Sequence, residues 1–381
     1  MSVDEILLRS GQRRILAIDG GGVRGLVALG ALEEIERILM AESGRADFRL
    51  ANYFDLIAGT STGAVIAVGL SIGLSVAELK NFYLTNAAEI FVKSSLSERL
   101  WNKYRAEGLA AKLQEIFGDA TLGSDRLQTL VLFVMQNAST DSPWLVTNNP
   151  RAMYNDDALP DCNLRLPIWQ LVRASAAAPT FFAPEEVKIG DRSFTFIDGA
   201  TTPYNNPAFQ AFLIATLDRY GLQWRTGTDQ LLLVSVGTGA APREAIGVSA
   251  RDMNLLYVAK NLPLVQMGAA AVEQDLLCRV FGNCLVGEPI DSEVGDLIGS
   301  RGPASPKLFT YLRYNLTLTP KAFAGYALSH IDPAALELDA ITRMSELLEV
   351  GTFLARSVRP EHFAGFPAAA VGQDRGTAKG A

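Results

Sequence analysis

Ser61 stands at the centre of Gly59-Thr60-Ser61-Thr62-Gly63, a G-x-S-x-G pattern between a strand candidate and an apolar helix candidate. A serine on so sharp a strand-to-helix turn carries its hydroxyl clear of the sheet, where it can attack an ester carbonyl. Glycine is needed at 59 and 63 because side chains there collide with neighbouring backbone. The helix that follows brings N–H groups and its positive dipole end to the serine. The same five residues also suit a small-residue turn that caps a helix, since Ser and Thr are ordinary N-caps.

A second segment, Asp19-Gly20-Gly21-Gly22-Val23-Arg24-Gly25, exposes successive backbone N–H groups that can hold an anion. In an acyl-hydrolase that anion is the oxyanion of the tetrahedral intermediate, and losing one donor costs about 3 kcal/mol of barrier. Gly20, Gly22 and Gly25 also spell G-x-G-x-x-G, so a nucleotide-binding protein is a rival reading. That rival wants an acidic residue closing the second strand. Here Asp55 lies within the strand candidate, which ends instead at Gly59 and the serine turn. The third segment is Asp198-Gly199, after the apolar run 194–197. It reads either as a hairpin turn or as the base a serine hydroxyl requires, in a chain with only two histidines.

Taken together, Asp19 to Gly25, Gly59 to Gly63 and Asp198-Gly199-Ala200 resemble the motifs of the patatin-like phospholipase family. Arg173-Ala174-Ser175-Ala176-Ala177-Ala178-Pro179 and Ser235-Val236-Gly237-Thr238-Gly239 look like that family too. The similarity runs from about Arg13 to about Gly239 and is weaker over 309–319. It implies an α/β fold of three layers, α/β/α, around a central, mostly parallel sheet. It also implies a carboxylic ester hydrolase of phospholipase A or lysophospholipase type, acting on a phospholipid or other acyl-lipid. On that resemblance Ser61 is the nucleophile and Asp198 its base, in a dyad without histidine that passes through an acyl-enzyme. Gly20, Gly21 and Gly22 hold the oxyanion, Arg24 orders the loop or meets a phosphate, and Gly59, Gly63 and Gly199 support the turns. Neither a metal nor a cofactor is called for. Some bacterial members of the family answer to cyclic-nucleotide signals, so an unknown small-molecule activator stays open.

A Ser-Asp-His esterase is the alternative, because His330 follows Asp198 in the chain order of α/β-hydrolases. Its surroundings, residues 326–333, read as a loop leading into a helix, and a triad is established by geometry rather than order. His362 lies near the tail. Arg173 reads as a structural arginine on a helix begun by Pro167, with phosphate binding second; Ser175 and Ser235 read as structural.

These groups need elements to hold them. Residues 15–18, 53–58, 129–135 and 231–236 are apolar runs suited to buried strands, the last two as parallel ones. Leu26, Leu29, Leu32, Ile35, Ile38 and Leu39 recur at helical spacing, and residues 64–70 form a second, apolar helix. Leu308, Leu312, Tyr314, Leu316 and Leu318 share one parity, which predicts a half-buried strand. Asp332-Pro333 predicts an N-cap with proline at N1, opening a helical C-terminal region. Residues 255–281 mix apolar and charged positions, and suit a lipid-facing lid or core packing. Strands alternating with helices predict one domain over 12–365, with 366–381 a disordered tail.

At 381 residues and 49% hydrophobic, the chain can bury a sizeable core. Its net charge of −7 argues against nucleic acid and against attraction to anionic lipid, so any peripheral membrane contact rests on apolar surface. Three cysteines without a CxxC pair argue against zinc and for a reducing compartment. No apolar stretch is long enough to span a bilayer and the start has no signal-peptide pattern, so a cytoplasmic protein is expected.

Overall fold

A computed structural model describes residues 2–92, 102–240, 251 and 253–368. β1 (Arg13–Ile18) is buried along its whole length, and its alternate residues face different cores. Leu16 and Ile18 enter one core and Ile15 and Ala17 another, the period of two that a strand covered on both faces must show. β2 (Leu56–Thr60), β3 (Leu130–Asn137) and β7 (Leu231–Val236) share this burial, β3 along all but Gln136. The remaining strands are β4 (Ser142–Thr147), β5 (Glu185–Ile189), β6 (Arg192–Asp198), β8 (Asn283–Val286) and β9 (Thr310–Tyr314).

They form one sheet in the order β5-β6-β3-β2-β1-β7-β9-β8, with β4 also pairing β3. The β3-β2-β1-β7-β9-β8 stretch is parallel, whereas β4, β5 and β6 run antiparallel to their partners at one side. The helices are α1 (Val3–Leu8), α2 (Gly25–Ser43), α3 (Thr62–Ser71), α4 (Val76–Ile90), α5 (Ala106–Phe117), α6 (Ile168–Ser175), α7 (Ala208–Thr216), α8 (Leu255–Phe281), α9 (Pro320–Gly325) and α10 (Met344–Ala355). One face of the sheet packs on α2, α3, α5, α6 and α10, the other on α1, α7 and α8. This is the expected α/β/α arrangement around a mostly parallel sheet.

Local signals account for several boundaries. Ser75 and Glu78 form a reciprocal capping box that starts α4, and α2 ends on Gly44 in the left-handed conformation.

Elsewhere the structure departs from the sequence reading. The second strand starts at Leu56 and runs through Thr60, because Leu50–Asn52 coils into a 3-10 turn first. The segment from 308 contributes β9, buried on both faces rather than half-buried, because Leu312 and Tyr314 enter the core on one side of the sheet and Tyr311 the core on the other. Arg313, on the opposite parity, is buried and ion-paired. Asp332 does cap a proline-initiated turn, but only the four-residue 3-10 turn Pro333–Leu336; the longer helix begins at Met344.

The folded region also exceeds 12–365. Ile6 of α1 joins the core at one end, while Phe366 and Ala368 are buried at the other. Tyr53 donates its hydroxyl to the Phe366 carbonyl, 2.6 Å away. Residues 369–381, the rest of the predicted tail, lie outside the described residues.

Candidate active site

The C-terminal ends of β1 and β2 lie side by side, with Ile18 in register with Gly59. Each strand passes at once into a turn: Asp19 to Gly22 after β1, and Ser61 after β2. Ser61 has φ 56° and ψ −123°, a conformation that L residues rarely adopt and that sharp functional turns impose. The flanking glycines are required by contact. A Cβ on Gly59 would run into the carbonyl of Gly63, and one on Gly63 into the carbonyl of Ile18. α3 begins directly after Ser61, so its N-terminal dipole end lies at the serine.

Ser61 donates its hydroxyl to Asp198 Oδ2 over 2.6 Å, across 137 residues of sequence. Asp198 ends β6, in register with Met135 of β3. Its other oxygen, Oδ1, accepts the Ala200 N–H at 2.7 Å, so Asp198-Gly199 caps a 3-10 turn instead of closing a hairpin. A Cβ on Gly199 would strike the Val134 carbonyl, which is why this turn needs glycine. Asp198 is 2% exposed, and burial pushes its carboxyl up to about 6 despite the Ser61 and Ala200 hydrogen bonds and the Arg173 charge, which pull it down. A carboxylate of that basicity next to a hydroxyl can take its proton near neutral pH.

The glycine loop divides its tasks. Gly20 donates its N–H to the Asn205 carbonyl at 3.1 Å, so it does not offer the third free donor that the sequence suggested. Gly21 and Gly22 line the same cavity as Ser61 and Asp198, and their N–H groups donate to no described residue. Arg24 is 5% exposed and is not among the residues lining that cavity. It sits behind the loop near Asp19 and Glu337, and burial lowers its pKa to about 10, against the pull of those two carboxylates.

The cavity has a volume of about 680 Å³ and a mostly apolar lining. Val65, Phe82, Ile90, Phe91, Phe181 and Leu109 supply much of it, a contribution that nothing in the motifs announced. α8 adds Leu262, Gln266 and Met267 to one wall while Ala270 and Cys278 are buried; this one helix both packs and lines the cavity.

Ser175 Oγ accepts the Ser61 N–H at 3.0 Å and donates to the Val134 carbonyl at 2.6 Å. It thereby ties the serine turn to β3. Arg173 donates to the Ala183 carbonyl at 2.6 Å and lies 3.8 Å from Glu185, which suits its structural reading. Ser235 donates to Asn206 in the core. His330 is not brought to Ser61: its side chain is 59% exposed and pairs with Glu349 at 3.0 Å. His362 instead meets the Tyr314 hydroxyl at 2.8 Å. Asp55 is engaged by Arg9 and Arg13 and accepts the Arg14 N–H, so it does not point toward the glycine loop as a ribose partner would. Among the described residues, no three His, Cys, Asp or Glu side chains gather as a metal site, and Cys162, Cys278 and Cys284 are buried free thiols.

The α/β/α sheet thus carries a serine turn, a glycine loop and a partnered aspartate near its strand ends. The family model for patatin-like phospholipases matches residues 16–212, just over half of the chain, and the chain belongs to that family. It is 35% identical over 205 residues to a cGAMP-activated phospholipase of Escherichia coli (strain TW11681), covering 52% of this chain and 55% of the relative. A cGAMP-activated phospholipase of Vibrio cholerae is 33% identical over 209 residues, covering 52% and 56%. Patatin-T5 of Solanum tuberosum is 28% identical over 242 residues, covering 59% and 60%. The chain thus spans little more than half the length of the curated relatives it matches. No helix among the described residues is long and apolar enough to cross a membrane.

Proposed function

We propose that this chain hydrolyses carboxylic esters of phospholipids or other acyl-lipids, using Ser61 as nucleophile and Asp198 as its base. The observation that carries this reading is the 2.6 Å hydrogen bond from the Ser61 hydroxyl to a buried carboxylate, at the wall of an apolar cavity. Ser61 Oγ attacks the ester carbonyl as its proton passes to Asp198 Oδ2. The N–H groups of Gly21 and Gly22 hold the oxyanion, with the N-terminal end of α3 adding its dipole. Asp198 returns the proton to the departing alcohol, leaving an acyl-Ser61 ester. Water then attacks that ester, Asp198 takes the water's proton, and collapse of the second tetrahedral intermediate frees Ser61 and a fatty acid. The acyl chain lies along Phe82, Phe91 and Phe181.

The test is hydrolysis of a p-nitrophenyl ester and of mixed phospholipid vesicles by wild type, Ser61→Ala, Asp198→Ala and His330→Ala. Loss in the first two variants with retention in the third is the expected result. Loss in all three, with the proteins folded, would replace the dyad by a triad. The names of the two bacterial relatives extend the proposal to a small-molecule activator. The same assay with and without cGAMP checks that part, with a rise in rate on addition as the expected result.

A further inference from the structure

We infer that Arg313 is a positioning residue for the oxyanion-binding loop: it clamps Asp19, and through Asp19 sets where the Gly21 and Gly22 N–H groups point. The inference rests on the acyl-hydrolase reading above and concerns a residue 294 positions from its partner.

Arg313 lies on β9, in register with Ser235 on β7, which is itself in register with Ala17 on β1. Its guanidinium reaches back over the strand ends to the residue just before the glycine run. Nη1 donates to Asp19 Oδ1 at 2.9 Å and Nη2 to Oδ2 at 2.6 Å, a two-pronged pairing that fixes orientation as well as distance. Nη1 also donates to Ser235 Oγ at 2.8 Å. The neighbouring backbone is held too. The Asp19 N–H goes to the Val236 carbonyl at 3.0 Å, the Gly20 N–H to Asn205, and the Gly20 carbonyl accepts from Thr238 Oγ1 at 2.8 Å. The loop is therefore anchored up to Gly20, and the residues that follow are those lining the cavity.

Arg313 is held from behind as well. Its Nε lies 4.0 Å from Asp275 Oδ2, and Asp275 is gripped by both prongs of Arg279 and by the Tyr311 hydroxyl at 2.9 Å. Arg279 in turn donates to the carbonyls of Glu288 and Asp296 at 2.8 and 2.7 Å. Asp19, Arg313, Asp275 and Arg279 thus form a buried series of alternating charge. Such a series is a poor way to gain stability, since apolar packing of the same volume does as well or better. Its value is directional, and the loop it directs is the one that faces the cavity.

The experiment compares wild type with Arg313→Lys, Asp19→Asn and the double variant, each assayed for ester hydrolysis per active site titrated with a fluorophosphonate. A long-chain alkyl trifluoromethyl ketone reports on the tetrahedral adduct, and the matching ether lipid on ground-state binding. Lysine keeps the charge but not the fork. The expected result is a roughly 10- to 100-fold fall in kcat for Arg313→Lys, as for a small misplacement of catalytic groups. KM should stay within about twofold. Affinity for the ketone should fall by the same factor as kcat/KM while the ether lipid binds unchanged, and Asp19→Asn should show the same pattern without adding to the loss in the double variant. Unchanged kcat per titrated site in both single variants would overturn the inference, as would equal weakening of ketone and ether. A wild type that hydrolyses no ester and takes no fluorophosphonate would remove the hydrolase reading itself, a result distinguishable from any loss confined to the variants.

Discussion

On the proposed mechanism Asp198 must be anionic to accept the Ser61 proton, yet its burial favours the neutral acid. With its carboxyl pushed up to about 6, the reading predicts that kcat/KM for an ester rises with pH along a limb centred near 6 and levels off above 7. A limb centred near 4 would mean that solvent reaches the carboxylate in the working enzyme. The same displacement acts on stability. Below about pH 4 the carboxyl is protonated in both states; between there and about 6 the unfolded chain releases its proton first. Stability contributed by this group is therefore full at low pH and lost as pH rises through the folded value. Asp198→Asn should be more stable than wild type at pH 8, by up to about 3 kcal/mol, and should lose most of that advantage at pH 4. Thermal denaturation of the two proteins at both pH values measures this. An Asn variant no more stable at pH 8 would mean that the carboxylate is better solvated than its burial indicates.

The serine turn and the glycine loop are where chain geometry and chemistry meet, and strain at Ser61 is the measurable sign. Removing the hydroxyl by Ser61→Ala leaves φ at 56°, whereas Ser61→Gly also removes the Cβ that makes this conformation costly. Both variants should be inactive, and the glycine one should be the more stable by about 1 kcal/mol, even though glycine loses more freedom on folding. Chemical denaturation of the pair checks it, and an alanine variant of equal or greater stability would show that the turn is relaxed. These turns were legible from sequence because each is local: Gly59, Gly63 and the glycines after Asp19 lie within a few residues of the group they serve. What supports them was not. Ser175 holds the Ser61 N–H from 114 residues away. Asn205 consumes the Gly20 donor because the chain beyond the Gly199–Thr201 turn passes the end of β2, where the Tyr204 carbonyl accepts the Thr60 hydroxyl, to reach the end of β1; Arg313 reaches Asp19 only because β9 lies next to β7 and β7 next to β1. The one-parity apolar pattern of β9 suggested a solvent face on its odd-numbered side, where the charged Arg313 lies. That charge is buried against a carboxylate, and alternation in sequence cannot distinguish water from an internal ion pair.

At the scale of the molecule, composition and architecture bear on how a lipid would be met. The chain carries a net charge of −7, so a surface of anionic lipid repels it at long range, and under the acyl-hydrolase reading its approach rests on short-range apolar contact. Such side chains occur at the cavity itself: Leu262 of α8 lines the cavity and is 53% exposed. Under the acyl-hydrolase reading, initial rates on zwitterionic vesicles should be nearly independent of salt. Added anionic lipid should slow hydrolysis at low ionic strength, and the slowing should fade once added salt shortens the screening length to about 8 Å. Apolar contact is not screened in this way, so the rate on zwitterionic vesicles is the internal reference. Acceleration by anionic lipid at low salt would point the other way. It would require a local basic surface strong enough to override the net charge, and the approach to lipid would then be electrostatic.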